Sequence, residues 1–130
     1  MPAFPRRLFV DAPRALWRMY RALPRATKAL VTVCAGGYLL SSILGPLLYF
    51  YFGLVPYLLV KKFWLWQPVT YLFMHGSLWH LLFNVFMLWM LGRLVEPVMG
   101  TRNFLKFFFI TGLGAALVNV LLTPLSPVPI

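Results

Sequence analysis

The sequence predicts an all-α integral membrane protein, and two features of its composition support that prediction. Of its 130 residues, 62% are hydrophobic and 11% are charged, whereas a soluble domain carries about 25% charged residues. The charges are also segregated, because residues 29–60, 63–92 and 107–130 contain no Asp, Glu, Lys or Arg. A helix needs about 20 residues to cross the hydrocarbon core of a bilayer. Each uncharged run is therefore long enough for one span.

Turn and capping signals set the limits of the predicted spans, which are residues 29–50, 77–95 and 104–122. Pro46 bends or ends the first span, because proline lacks a backbone N–H and clashes with the preceding turn. Ser77 is suited to cap the start of the second span, and Gly100 turns the chain before the third. Residues 51–66 combine Gly, Pro, Lys and several aromatic side chains. This composition predicts a long loop that lies in the membrane interface.

The distribution of positive charge predicts which side of the membrane each end faces. Seven of the twelve Lys and Arg residues precede the first span, two lie between the first and second spans, and three bracket the loop between the second and third. Alternate loops face opposite sides, so ten cations share one side. The positive-inside rule then places the N-terminus in the cytoplasm.

The basic N-terminal arm, residues 1–27, precedes a membrane domain that comprises residues 28–130. Within the arm, residues 14–23 have the pattern of a short basic amphipathic helix. A basic arm beside a membrane is suited to anionic lipid headgroups rather than to nucleic acid. The single cysteine, Cys34, provides neither a disulfide framework nor a metal site.

Both histidines of the chain, His75 and His80, lie at the start of the second predicted span, and Asn84 follows one turn later. Residues four apart share one face of a helix, so His80 and Asn84 point the same way. Polar side chains at membrane depth are costly and usually face a protein interior or a wet cavity. The pattern therefore indicates a functional or packing role for this face.

Three roles are open for these side chains on spacing alone. They are weak metal ligands, because no nearby Cys, Asp or Glu completes a zinc site. They could act as interhelical hydrogen-bond donors and acceptors that hold the bundle together, each worth around 1 kcal/mol. They could also form a pair of fixed donors that stabilise developing negative charge, as in an oxyanion hole.

The residues from Trp66 to Asn84 contain the pattern His-x-x-x-x-His-x-x-x-Asn within an apolar helix, and residues 91–96 and 100–105 follow it. Together they resemble the N-terminal half of a rhomboid intramembrane serine protease. The resemblance implies a helical bundle of which this chain holds the first three transmembrane helices, with a long interfacial loop after the first. It also implies a multi-pass protein of the bacterial inner (plasma) membrane.

The resemblance further implies roles for individual residues. His80 and Asn84 would support the oxyanion, His75 would be accessory, and the loop with Trp66 and Gln67 would brace the fold. Two further residues, Glu96 and Arg102, would have structural roles at the other end of the bundle. Family members often carry Trp-Arg where this chain has Trp66-Gln67, so a bracing arginine is missing here.

A rhomboid protease cleaves transmembrane substrates with a Ser–His dyad, whose serine lies in a Gly-x-Ser-Gly motif. The four serines of this chain lie in no such motif. We therefore expect a serine endopeptidase when the protein is full length, completed by the C-terminal helices of the same protein, and an inactive chain on its own. No cofactor is implied. The alternative is a non-catalytic rhomboid-like membrane module that binds or escorts client proteins.

Overall fold

The computed structural model describes residues 7–130, with side chains from residue 11 onward. Residues 1–6 of the basic arm lie outside this part of the chain. The described residues form helices joined by short turns, without a β-strand among them, which confirms the all-α prediction. The helices are α1 (Arg7–Arg21), α2 (Arg25–Leu44), α3 (Pro46–Phe52), α4 (Pro56–Lys62), α5 (Gln67–Thr70), the 3₁₀ turn Tyr71–Phe73, α6 (Leu78–Met99) and α7 (Thr101–Leu122).

Three of these helices, α2, α6 and α7, are long and apolar enough to cross a membrane. They pack around a small core of Ala26, Leu30 and Phe104. Large apolar side chains on their other faces stay uncovered by the chain; Trp79, for example, is 81% exposed. Such surface suits lipid, because acyl chains are as apolar as the side chains themselves. The fold is that of an integral membrane helical bundle.

Glu96, near the end of α6, links the three long helices at one end of the bundle. Its Oε1 accepts the backbone N–H of Ala26 at 2.8 Å, and its Oε2 accepts both the N–H and the hydroxyl of Thr27. Thr101, at the start of α7, donates its hydroxyl to Oε1 at 2.8 Å. The N-cap of α2 is Pro24, whose side chain offers no acceptor. Glu96 therefore supplies from another helix the acceptors that the first turn of α2 needs.

The close approach of α2 and α6 depends on a glycine. A Cβ placed on Gly92 would collide with the side chain of Thr27, approaching its Cγ2 to 2.6 Å. Thr27 is fully buried at this contact. The bare backbone of Gly92 thus lets the two spans pack closely enough for Glu96 to reach the start of α2.

The ends of the spans differ in places from the sequence prediction. The first span ends at Leu44 rather than at residue 50, because Gly45 adopts a φ of +74° and Pro46 starts α3. The second span continues through Pro97 to Met99, and Gly100 then turns the chain with a φ of +79°. Ser77 caps α6, as predicted, by accepting the N–H of His80 at 3.2 Å. The amphipathic helix α1 begins at Arg7, seven residues before the predicted start at residue 14, and it includes Pro13.

The loop after the first span is more ordered than its composition indicates. Its central part folds into α4, and Trp64 stacks between the rings of Tyr51 and Trp66 with centroid distances of 5.4 and 5.1 Å. The C-terminal segment returns to this loop, because Ile130 donates its N–H to the carbonyl of Leu54 at 2.9 Å. The loop and the C-terminal segment therefore meet at the end of the bundle at which α6 begins.

Candidate active site

His80 and Asn84 lie on the same face of α6, and that face lines a cavity of about 830 Å³. The cavity is bounded by α2, α6, α7 and the segment that precedes α6. Most of its lining is apolar, so the polar side chains stand out against it. They are Tyr49, Tyr71, His75, Ser77, His80, Asn84, Thr111 and Asn119.

The side chains of His80 and Asn84 are free to bind something else. Within the described part of the chain, neither the His80 ring nor the Asn84 carboxamide makes a hydrogen bond to another protein group. A role as interhelical hydrogen-bond donors and acceptors would require such partners. An asparagine carries two N–H donors and a neutral histidine carries one, so the cavity presents donors from two positions one helical turn apart.

His75 lies just before α6 and is held more firmly than His80. Its side chain is buried, with 2% of its surface exposed, and its Nδ1 lies 3.2 Å from the carbonyl oxygen of Phe73. Because a carbonyl can only accept, this contact favours a proton on Nδ1. The His75 ring meets the His80 ring edge to face with centroids 5.3 Å apart. The buried His75 ring therefore forms the part of the cavity lining that lies against the His80 ring.

We expect the stability of the protein to fall as the pH drops below about 6.5, because His75 resists protonation when folded. Burial lowers the pKa of His75, the nearby His80 ring lowers it further, and the Phe73 carbonyl partly opposes both effects. Since the unfolded chain binds a proton at a higher pH than the folded one, acid favours unfolding. Thermal melts of the protein in detergent across this pH range measure the effect. His75→Phe should flatten the dependence, and an unchanged slope in that variant would assign it to another group.

Gln67 and Trp66 brace the interfacial loop against the end of α3. Gln67 is fully buried; its Oε1 accepts the N–H of Val55 at 3.0 Å, and its Nε2 donates to the carbonyl of Phe50 at 3.2 Å. Trp66 donates its indole N–H to the carbonyl of Tyr51 at 3.0 Å. A neutral carboxamide thus bonds to backbone groups at the end of α3 and within the loop, at the position where rhomboid family members often carry an arginine.

The two remaining residues predicted to be structural, Glu96 and Arg102, differ in their surroundings: Glu96 is buried and bonded, whereas Arg102 is exposed. Glu96 and Arg102 both lie at the far end of the bundle from His80. Glu96 is 2% exposed and bonded to α2 and α7 as described. Arg102 is exposed on the first turn of α7, and its side chain makes no hydrogen bond within residues 7–130. The acceptor role at this end therefore belongs to Glu96, with Thr101 rather than Arg102 as its partner on α7.

The sequence analysis did not identify four further polar residues of the cavity, which are Tyr49, Tyr71, Thr111 and Asn119. Asn119, on α7, lines the cavity opposite α6, and Tyr71 donates its hydroxyl to the carbonyl of Gly112 at 2.9 Å. Asn119 could have been identified from the sequence, because it is an asparagine in an uncharged run. A polar group at membrane depth is costly, and this argument applies to Asn119 as it does to Asn84. Tyr71 could not have been identified in this way, since its partner is a backbone carbonyl 41 positions away.

Three helices long and apolar enough to cross a membrane, packed around a partly polar cavity, define a multi-pass integral membrane protein. A family described as "Eukaryotic integral membrane protein (DUF1751)" matches residues 28–127. Rhomboid-like protein 15 of Arabidopsis thaliana is 27% identical over 82% of this chain and 27% of its own length. Rhomboid protease GlpG of Salmonella paratyphi A and of Salmonella typhi is 32% identical over 67% of this chain and 32% of its own length. No solved structure gives a significant match.

The chain belongs to this family of integral membrane proteins and, with these relatives, to the rhomboid family. It spans about a third of the length of the curated relatives it matches. The family description is eukaryotic, whereas the GlpG relatives are bacterial. The assignment to a bacterial inner membrane therefore stays a prediction.

Proposed function

We propose that the protein is a rhomboid-type intramembrane serine endopeptidase and that this chain provides the oxyanion side of its active site. The observation that carries the proposal is the pair His80 and Asn84, which lie on the cavity face of a membrane-crossing helix and whose side chains make no hydrogen bond within the described part of the chain. Donors fixed in a site of low dielectric stabilise developing negative charge more than they would in water. The kinship with a rhomboid protease supports the same role.

In this mechanism a serine hydroxyl attacks the carbonyl carbon of the scissile peptide bond while a histidine takes the hydroxyl proton. The carbonyl oxygen becomes an oxyanion, which Asn84 and His80 would stabilise by donating N–H groups. The histidine then protonates the leaving amine, and water hydrolyses the acyl-enzyme. Ser77, the serine on the cavity wall, already accepts the N–H of His80 as the cap of α6. We therefore assign the nucleophile and the base to the part of the relatives' length that this chain does not span.

The rest of the arrangement follows from the same proposal. Transmembrane proteins would be the substrates, and the C-terminal helices of the same protein would close the cavity. His75 would position His80, while Gln67, Trp66 and Glu96 would hold the loop and the far end of the bundle. The excess of cations before α2 and between α6 and α7 favours a cytoplasmic N-terminus.

The second candidate is a non-catalytic rhomboid-like module that binds or escorts membrane clients. It is favoured by the name of the plant relative, which describes a rhomboid-like protein and states no activity. Both candidates use the same cavity. They differ in whether a reactive serine faces it.

The experiment is to express the protein from its complete gene and, separately, residues 1–130, and to treat both with a fluorophosphonate probe that labels activated serines. We expect labelling of the full-length protein, together with cleavage of a transmembrane reporter in proteoliposomes, and neither result for residues 1–130. A full-length protein that is folded but neither labelled nor active would refute the protease proposal. Labelling of residues 1–130 would show that the nucleophile lies within this chain.

A further inference from the structure

The helix α1 separates its charged and apolar residues onto opposite faces. Its polar face carries Asp11, Arg14, Arg18 and Arg21, which are spaced three and four apart and so form one stripe. Among the side chains that the structure describes, from residue 11 onward, the stripe has three cations and one anion. Arg25 and Lys28, at the start of α2, extend the positive surface toward the first span.

The opposite face of α1 is apolar and uncovered. Leu16 and Met19 on this face are 64% and 44% exposed. Trp17 lies three residues after Arg14 and four before Arg21, at the border between the two faces. It is 58% exposed, and its ring stacks on Tyr20 with centroids 5.6 Å apart. Leu16, Met19 and Tyr20 lie within one turn of each other on this face. An aromatic and aliphatic face opposite an arginine stripe is the pattern of a helix that lies in the plane of a membrane interface.

Contacts with α2 place the end of α1 at the level where the first span enters the bilayer. The hydroxyl groups of Tyr20 and Thr32 are 2.8 Å apart, which ties α1 to the second turn of the span. Lys28 donates to the carbonyl of Arg21 at 3.0 Å and lies over the Tyr20 ring at 5.8 Å. Tyrosine and lysine are typical of the boundary between lipid headgroups and acyl chains. The tether therefore holds α1 against the surface of the same membrane that α2 crosses.

We propose that α1 is an interfacial helix that binds anionic phospholipid. Its apolar face enters the boundary of the acyl chains, and its arginine stripe contacts lipid phosphates. Charge complementarity selects this occupant: a neutral lipid surface would satisfy Leu16, Trp17 and Met19 but would leave three arginines without counter-charges. Guanidinium groups suit the phosphate, since they can donate two parallel hydrogen bonds to its oxygens. This surface lies apart from the His80 cavity and does not depend on proteolysis.

The test reconstitutes the chain into phosphatidylcholine vesicles with and without phosphatidylglycerol. In a Cys34→Ala background, Leu16→Cys and Arg18→Cys are each labelled with a nitroxide, and collision with oxygen, which partitions into lipid, is compared with collision with a water-soluble nickel chelate. We expect the label at position 16 to favour oxygen and the label at position 18 to favour nickel. We also expect the label at position 16 to lie deeper in the membrane, with a higher ratio of oxygen to nickel collisions, when phosphatidylglycerol is present.

Two variants that lose the same number of charges distinguish an effect of the arginine stripe on α1 from an effect of the net charge of the protein. Arg14→Gln, Arg18→Gln and Arg21→Gln together remove three cations from α1, while Arg93→Gln, Arg102→Gln and Lys106→Gln remove three from the loop between α6 and α7. Each cation near an anionic surface is worth about 5-fold in binding. We therefore expect the α1 variant to lose its preference for spin-labelled phosphatidylglycerol over spin-labelled phosphatidylcholine by at least about 5-fold, and its label at position 16 to become nickel-accessible. The control variant should keep position 16 in lipid.

Three results would overturn the proposal. The first is nickel access at position 16 in anionic vesicles, which would place α1 in water. The second is low access to both reagents at that position, which would mean contact with protein, such as a second copy of the chain. The third is an equal response of both charge variants, which would reduce the effect to net charge.

Discussion

Replacing Glu96 with alanine should destabilise the folded protein by on the order of 4 kcal/mol, because the buried carboxylate accepts four hydrogen bonds and bonds to charged groups contribute about 1.5–3 kcal/mol each without being additive. The substitution would leave two backbone N–H groups in the first turn of α2 without their acceptor. It would also remove the negative charge that the N-terminus of that helix favours. Unfolding of the full-length protein in detergent, followed by circular dichroism, measures the loss.

Two other substitutions make the prediction specific. Thr27→Val keeps the backbone N–H bond and removes one hydroxyl donor to the carboxylate, so it should cost about 1.5–3 kcal/mol, less than Glu96→Ala. Asp11→Ala removes the chain's other acidic residue, which is exposed on α1, and should leave the melting temperature unchanged. A Glu96→Ala protein as stable as the Asp11→Ala protein would mean that water replaces the carboxylate. In that case Glu96 would not hold the three helices together.

The number, type and approximate position of the spans could be predicted because they depend on local composition. An uncharged run longer than the bilayer is thick has few alternatives to a membrane helix. Local chemistry also identified Ser77 as a cap and Gly100 as a turn. Local rules failed at Pro13 and Pro97, which lie inside helices. They held at Pro46, because the first span ends just before it and Pro46 begins α3.

What the sequence could not predict are contacts between distant residues. The acceptors for α2 come from Glu96, about 70 positions along the chain, and the brace of the interfacial loop comes from Gln67 instead of an arginine. Neither pairing follows a periodic pattern. The site was predictable in part, because His80 and Asn84 share a helix and their relation is fixed by its period. The opposing residue Asn119 is on another helix, so its approach depends on packing.

Among the residues of this chain, Asn84 and His80 should have the largest effect on catalysis. In the full-length protein, we expect Asn84→Ala and His80→Ala each to lower kcat for cleavage of a transmembrane reporter by about 10²–10³-fold, the range that removal of one oxyanion donor produces. The melting temperature should hardly change, because neither side chain has a hydrogen-bond partner to lose within the described residues. KM should also change little, since the oxyanion forms only after the substrate has bound.

A loss of kcat without a loss of stability distinguishes an oxyanion role of Asn84 and His80 from a role in helix packing. If Asn84 and His80 were interhelical hydrogen-bond groups, each substitution would lower stability, and activity would fall only as far as folding did. Asn103→Ala is a matched control, because Asn103 is an exposed asparagine that donates only to the carbonyl of Met99 in the preceding turn. It should leave kcat and melting temperature at the wild-type values.

Double substitution extends the test to whether the two side chains act as a unit. Donors that bind the same oxyanion are not additive, so Asn84→Ala with His80→Ala should lower kcat by less than the product of the two single effects. Independent groups would give the full product. Unchanged kcat in either single variant would remove that residue from the site, and the cavity face of α6 would then favour client binding over proteolysis.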